Sequence, residues 1–330
     1  MMKAALIHGK DQLELAEVPT PKPSADEVLI TVAYVGICGS DLHYYQDGAV
    51  GAFTVREPLI PGHEMSGTLA DGTPVTIHPA TFGTKQPGIE DAPHLWPGGA
   101  YLGSASTWPH TQGAMSQQLL VRKDQIRPLP EGLSLKRAAL AVPLSVGLHA
   151  INIAGGVTGK DVLVTGAGPI GQLAAAGALA QGAATVTITD ILPEPLTRAA
   201  TIPGLRTATE IPEESMDVVL ECSGAAPAVS AALAAARRKA VVVQVGMLPN
   251  QPVGINLAPL VAKELKLCGT FRFRDEVDQA IELLAAHDFF DAVITHVFDL
   301  EEVHTAFTTA ADAQLSGKVL VQVSPTTEGS

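Results

Sequence analysis

The run Val162-Leu163-Val164-Thr165-Gly166-Ala167-Gly168-Pro169-Ile170-Gly171 constrains this chain more than any other stretch. An apolar segment stops at a glycine, two further glycines follow, and an alanine-rich helical segment begins. Each glycine answers a separate need. Gly166 permits the tight turn, Gly168 lets backbone approach a pyrophosphate, and Gly171 allows close packing of helix on strand. Pro169 and Ile170 complete the candidate cofactor contacts, at a helix N-terminus whose unpaired N–H groups suit phosphates. The next apolar strand ends in Asp190, 19 residues past the last glycine. An acid at that distance accepts hydrogen bonds from an adenosine ribose. It also repels a 2′-phosphate. No Lys or Arg follows until Arg198, and Glu194 adds negative charge. NAD is therefore expected over NADP.

The surrounding pattern extends the unit. Strands are predicted at 162–165, 184–189, 217–221, 240–245 and 265–269, alternating with alanine-rich helical segments, which implies parallel β-α-β units. Between Arg198 and Met216 there are prolines and no good helix, so one crossover is predicted to be trimmed. Residues 276–286 read as an amphipathic helix, and 293–323 as strand, helix (300–311), strand. Before residue 134 the texture is antiparallel, with Pro19, Pro21 and Pro23 marking an irregular connection and Asp71-Gly72 a hairpin turn. Residues 79–112 lose periodicity and read as a long loop, 118–129 regain strand character, and 325–330 are expected to fray.

A net charge of -13 argues against nucleic acid or an anionic membrane as partner. Three cysteines, Cys38, Cys222 and Cys268, are too few and scattered for a disulfide framework, and the last two read as small packing residues. The N-terminus lacks signal-peptide architecture, so the cytoplasm is the expected location. The uncharged run 162–189 has the length of a membrane span, but its glycines, proline and alanines make a poor lipid-facing surface.

A second stretch carries the candidate chemistry: Gly36-Ile37-Cys38-Gly39-Ser40-Asp41-Leu42-His43-Tyr44-Tyr45, followed by Pro61-Gly62-His63-Glu64. Cys, His and Glu are each acceptable zinc donors, and three protein ligands plus an open position mark a catalytic site. A lone cysteine would more often be a buried packing residue; its neighbours reverse that reading. At these residues the chain resembles the zinc-dependent medium-chain alcohol dehydrogenases, in particular the polyol branch that includes sorbitol and L-idonate 5-dehydrogenases. Gly103-Ser104-Ala105, Trp108-Pro109-His110, Glu221-Cys222-Ser223-Gly224, Val245-Gly246-Met247 and Phe271-Arg272-Phe273 also resemble family segments.

The resemblance implies an α/β chain: a GroES-like β-rich catalytic domain over 1–146, to which 284–330 return, and a Rossmann NAD-binding domain over 147–283. It implies one catalytic zinc on Cys38, His63 and Glu64. Ser40 would take the alcohol proton and His43 would pass it on, while Asp41 would orient the His63 ring. Gly246, Phe271 and Arg272 are candidate cofactor contacts, with the last two lying toward the nicotinamide or the substrate. Tyr44, Tyr45 and Phe53 match positions near the substrate cleft and suit core packing equally well. The substrate would be a sugar acid or polyol, L-idonate fitting best, with Arg56 or Arg272 available to a carboxylate. Relatives are commonly homodimers or homotetramers. There are two departures. The four-cysteine lobe of a structural zinc is absent, since 79–108 contain no cysteine, and Val142 stands where many polyol-branch members carry an acid. Without that acid, Glu64 has to be a direct ligand, because Cys38 and His63 alone would be too few.

Overall fold

The computed structural model describes residues 1–210 and 213–326, which form two compact units. One comprises Met1–Val142, Ile294–Asp312 and the segment from Lys318 onward; the other comprises Pro143–Val293 and Ala313–Gly317.

The first unit is built on strand Glu27–Gly36. Its first half pairs antiparallel with Gln118–Arg122, its second half with Lys318–Gln322, and its other edge with Glu64–Thr68. The Asp71-Gly72 turn joins Glu64–Thr68 to Pro74–Ile77, and Ile126–Pro128 closes that edge. On the far side Lys318–Gln322 runs parallel to Ile294–Asp299, the connection being the helix Val303–Ala311. Along Glu27–Gly36, whose pairing register shifts between Val32 and Tyr34, Ile30, Val32 and Val35 enter a core with Ile7, Leu59, Met65, Ile77, Met115 and Phe307. Residues 79–112 are mostly irregular, with one short pairing of Ala80–Thr81 to Ala100–Tyr101.

The second unit is a parallel six-stranded sheet. Its strand order is Leu205–Ala208, Thr185–Thr189, Asp161–Thr165, Met216–Glu221, Ala236–Gln244, Lys266–Gly269. This is the doubly wound arrangement, and its order turns back between Asp161–Thr165 and Met216–Glu221. The two central strands are buried on both faces, which explains their apolar runs Val162-Leu163-Val164 and Val218-Val219-Leu220. Helix Pro169–Ala180 consists largely of Ala and Gly because it packs against other backbone. A Cβ on Gly147 would lie 2.8 Å from the Ala174 Cα, and one on Gly177 only 3.2 Å from the Leu148 side chain. The uncharged run 162–189 is thus strand, turn, helix and strand, and no helix among the described residues is long and apolar enough to cross a membrane.

Among the described residues no helix lies between Ala199 and Met216, so that crossover is trimmed as expected; the short helix Pro193–Ala199 precedes it, with Pro193 and Pro195 in its first turn, where the missing N–H has no intrahelical partner to lose. One expectation is corrected. The sheet has a sixth strand, Leu205–Ala208, which escaped the periodicity reading because only Leu205 of its four residues is buried. Of the tail expected to fray, Pro325 and Thr326 are described, and 327–330 lie outside the described residues.

Candidate active site

The glycine that ends Glu27–Gly36 is flanked by Glu64 on one side and Leu320 on the other. A Cβ at Gly36 would lie 2.3 Å from Glu64 Oε2, so the absence of a side chain is what lets the carboxylate settle against the strand. Two residues on, Cys38 caps helix Gly39–Asp47 with extended backbone, which turns its side chain out of the sheet. The second ligand turn is fixed by crowding. Gly62 has φ +94, and added Cβ atoms on Gly103 and Gly113 would lie 2.7 Å from its nitrogen and 2.4 Å from its oxygen. His63 follows, its ring edge-on to Tyr101 at 5.2 Å. Together these elements bring one donor atom each from Cys38, His63 and Glu64 to within 4.8 Å of one another.

Asp41 holds the two turns together. It is fully buried; its Oδ2 accepts the Cys38 amide (2.9 Å) and its Oδ1 accepts the Gly62 amide (3.0 Å). The first of these bonds is the returning half of a capping box. Both carboxylate oxygens thus accept backbone amides, which ties the Cys38 turn to the turn that carries His63. The influence of Asp41 on the His63 ring is electrostatic. Burial alone would pull the His63 imidazole down, but Cys38, by charge and hydrogen bond, and then Asp41 and Glu64 push it up to about 9. Burial pushes the Asp41 carboxyl up as well. Replacing Asp41 with Asn turns an N–H group toward one of the two amides it now accepts. Zinc affinity is expected to fall roughly 10–100-fold, as when other partners behind a metal site are removed. Competition with a chromophoric chelator measures it, and an unchanged affinity would rule out the clamp.

Sequence reasoning missed Lys318. Its ammonium is buried and donates to Glu64 Oε2 (2.6 Å) and to the carbonyl of Ile37 (2.9 Å). A lysine opening the apolar run Val319-Leu320-Val321 gives no local signal, since its partner lies 254 residues away. No described hydrogen bond reaches the other Glu64 oxygen, Oε1. His63 Nδ1 is buried without a hydrogen-bond partner. A sulfur, an imidazole and a carboxylate oxygen, convergent and largely shielded from water, make a donor set that fits zinc.

The other predicted residues divide. Ser40 is half-buried and His43 exposed; they lie one turn apart on helix Gly39–Asp47, and His43 Nδ1 meets Asp47 Oδ2 at 3.0 Å. Tyr44 is a core residue, its hydroxyl accepting the Ala105 amide (3.0 Å) and meeting Ser104 Oγ (3.2 Å). Tyr45 packs edge-on to Phe307, whereas Phe53 is exposed.

In the second unit, Gly166 has φ +91, and a Cβ there would meet the Ser223 amide nitrogen at 2.8 Å. A Cβ on Gly171 would lie 1.8 Å from the Gly166 oxygen, while Gly168 has nothing within 4 Å and leaves its side open. Helix Pro169–Ala180 starts on this turn, with Pro169 and Ile170 in its first turn. Asp190 ends Thr185–Thr189 and accepts the Ala167 amide (2.7 Å) and the Leu192 amide (2.9 Å), which ties it to the glycine turn. Ile191, beside it, is 97% exposed. Gly246 follows Ala236–Gln244 and touches Gly224, where a Cβ on Gly246 would lie 2.2 Å from the Gly224 nitrogen. Phe271 is exposed with the Arg272 guanidinium over its ring (4.9 Å), and Arg272 has φ +53, a left-handed conformation for a non-glycine residue. The segment that follows is pinned by Glu276. Its Oε1 meets His149 Nδ1 (2.8 Å) and accepts from Asn152 (3.1 Å), and its Oε2 accepts the Arg274 amide (2.7 Å). Burial opposes that charge, but these bonds hold the carboxyl down at about 2.

Residues 24–131 match the alcohol dehydrogenase GroES-like domain, and residues 169–286 match the zinc-binding dehydrogenase domain. The chain is 32% identical to sorbitol dehydrogenase of Bos taurus, over 97% of this chain and 96% of that protein. Among solved structures it is similar to L-idonate 5-dehydrogenase of Escherichia coli, with a TM-score of 0.90 at 29% identity, covering 98% of both chains. It is also similar to a Sinorhizobium meliloti protein solved bound to NADP, with a TM-score of 0.87 at 25% identity, covering 98% of this chain and 99% of that one.

Proposed function

Because the chain belongs to the zinc-dependent medium-chain alcohol dehydrogenases, oxidoreductases that act on CH–OH donors with a nicotinamide dinucleotide, we propose that it oxidises a secondary alcohol of a sugar acid or polyol, with L-idonate the substrate that fits best. The observation that carries this reading is the convergence of Cys38, His63 and Glu64 on one point. These three residues would hold zinc, which supplies a Lewis acid that lowers the pKa of the substrate hydroxyl. Glu64 would ligate through one oxygen while Lys318 holds the other. Ser40 accepts the hydroxyl proton, and His43, one turn further along the same exposed helix face, passes it to solvent. A nicotinamide bound in the second unit would supply the hydride acceptor, so that alcohol and NAD⁺ would balance as ketone, NADH and one proton. For L-idonate the product is 5-keto-D-gluconate.

In the second unit, the glycine turn and the first turn of helix Pro169–Ala180 take the pyrophosphate, and Asp190 takes the adenosine ribose. Asp190 is the reason to favour NAD over NADP, since a 2′-phosphate would meet its carboxylate. Exposed Ile191 offers an apolar wall for adenine. Phe271, Arg272 and Gly246 are assigned to the nicotinamide side. A carboxylate on the substrate would pair with Arg56, which is exposed, or with Arg272.

The likeness to sorbitol dehydrogenase favours a second reading, in which the substrate is a neutral polyol such as sorbitol or xylitol. Absorbance at 340 nm with NAD separates the two. L-Idonate is expected to give the higher kcat/KM, and pretreatment with a chelator to abolish it. Faster turnover of sorbitol or xylitol would select the second reading, and no turnover of any of them would overturn both.

A further inference from the structure

Thr165 and Glu221 pair at the point where the strand order of the parallel sheet turns back. Glu221 is fully buried, and every oxygen it has is occupied by a donor. Its Oε1 accepts from the Thr165 hydroxyl (3.2 Å), the Ser223 amide (2.9 Å) and the Ser223 hydroxyl. Its Oε2 accepts from the Gly224 amide (3.1 Å) and the Gln244 side-chain amide. The Glu221 carbonyl takes the amides of Val245 and Gly246, both at 2.8 Å. One residue therefore ties together the ends of three neighbouring strands. All of these donors are neutral, and among the described residues no Lys, Arg or His pairs with Glu221. Its charge is dispersed over hydrogen bonds but not cancelled.

The direction in which a dinucleotide lies follows from the sheet. The glycine turn after Asp161–Thr165 takes the pyrophosphate, and Asp190, after the strand on one side, takes the adenosine ribose. The nicotinamide half must then run the other way, over the ends of Met216–Glu221 and Ala236–Gln244. The loops there present Gly224 and Gly246, which carry no side chain to screen what lies behind them.

We propose that Glu221 is a fixed negative charge at the nicotinamide end of the crevice, and that it favours the oxidised cofactor over the reduced one. The nicotinamide ring is positively charged in NAD⁺ and neutral in NADH. Hydride transfer breaks the carbinol C–H bond, forms a C–H bond at the ring and removes the ring charge, while the hydroxyl proton goes to solvent. A buried carboxylate attracts the first state and is indifferent to the second, and little water intervenes to weaken that attraction. NAD⁺ is thereby bound more tightly than NADH, which favours loading of the oxidised cofactor over rebinding of the reduced product in the direction of alcohol oxidation.

This inference rests on the reading of the crevice as a dinucleotide site, and the experiment keeps the two apart. NADH affinity is measured by its fluorescence and NAD⁺ affinity by competition, in the wild-type chain and in two variants. Glu221→Gln removes the charge but turns an amide toward N–H donors that now find an acceptor. Gln244→Lys keeps the carboxylate and cancels its charge, because an ammonium can donate to Glu221 Oε2 and to the Gly246 carbonyl as the Gln244 amide does. Each variant is expected to weaken NAD⁺ binding roughly tenfold while leaving NADH within about twofold. A purely structural knot would weaken both cofactors alike, so a parallel loss, or no loss, overturns the proposal, as does failure of both variants to fold. Wild-type protein that binds neither cofactor overturns the dinucleotide reading itself.

Discussion

Replacing Cys38 with alanine is expected to abolish stoichiometric zinc and lower kcat/KM by about 10⁴-fold or more. The loss is large because it leaves two protein ligands, fewer than any of the zinc arrangements that persist in proteins. Neither remaining ligand can compensate. Glu64 already shares its carboxylate with Lys318, and His63 is set by the Pro61-Gly62 turn and by the Tyr101 ring. A Lewis acid at a reacting oxygen is worth several kcal/mol of barrier, and each ~1.4 kcal/mol is a factor of ten. The fold should survive, because Cys38 is only half-buried and its amide, not its thiol, makes the bond to Asp41. Metal analysis and steady-state assays on the folded variant decide the matter. A variant that kept one zinc per chain and a tenth of the activity would remove Cys38 from the ligand set.

Lys318→Met should be the most destabilising single change in the first unit. Lys318 and Glu64 are both almost fully buried and form an ion pair at 2.6 Å. Removing the ammonium takes from the carboxylate its only salt-bridge partner among the described residues, which costs about 3–5 kcal/mol where such pairs have been broken. Urea unfolding of the metal-free chain measures the loss. Lys318→Arg should restore most of it, because a guanidinium can reach the same carboxylate oxygen. Combining Lys318→Met with Glu64→Gln should also recover part of it, because no bare charge remains. If Lys318→Met lost less than about 1 kcal/mol, the pair would be behaving like an exposed one.

What could be read from the sequence follows the range of the interactions involved. The glycine turn, its strand and helix, and Asp190 lie within about thirty residues, and their roles depend on φ angles and close approaches that a short motif dictates. The two ligand turns were legible for the same reason: Cys38 to Asp41 is a single helix start, and Pro61 to Glu64 a single turn. Contacts made across the sheet were not. Lys318 meets Glu64 only because the last strand pairs with Gly36, and no pattern around residue 318 announces a register set 280 residues earlier. That Asp41 bonds the amides of both ligand turns is visible only in the coordinates, because Gly62 lies 21 residues away. Leu205–Ala208 was missed because an edge strand with one buried side chain has almost no amphipathic signature. Glu221 was noted as a strand end, but its five donors come from four residues scattered between 165 and 244.

The position of Lys318 also sets an order of events in the life of the chain. Cys38, His63 and Glu64 leave the ribosome first, and the residue that neutralises Glu64 follows 254 positions later. At ordinary rates of synthesis that gap lasts about 13–50 s. During it the entire second unit emerges, while the first unit lacks its returning strand. Until that strand docks, the glutamate lacks the lysine that donates to its Oε2. The ligand turns are therefore made long before the residue that neutralises one of them, and the Glu64–Lys318 pair closes only when a strand synthesised 254 positions later docks beside Gly36.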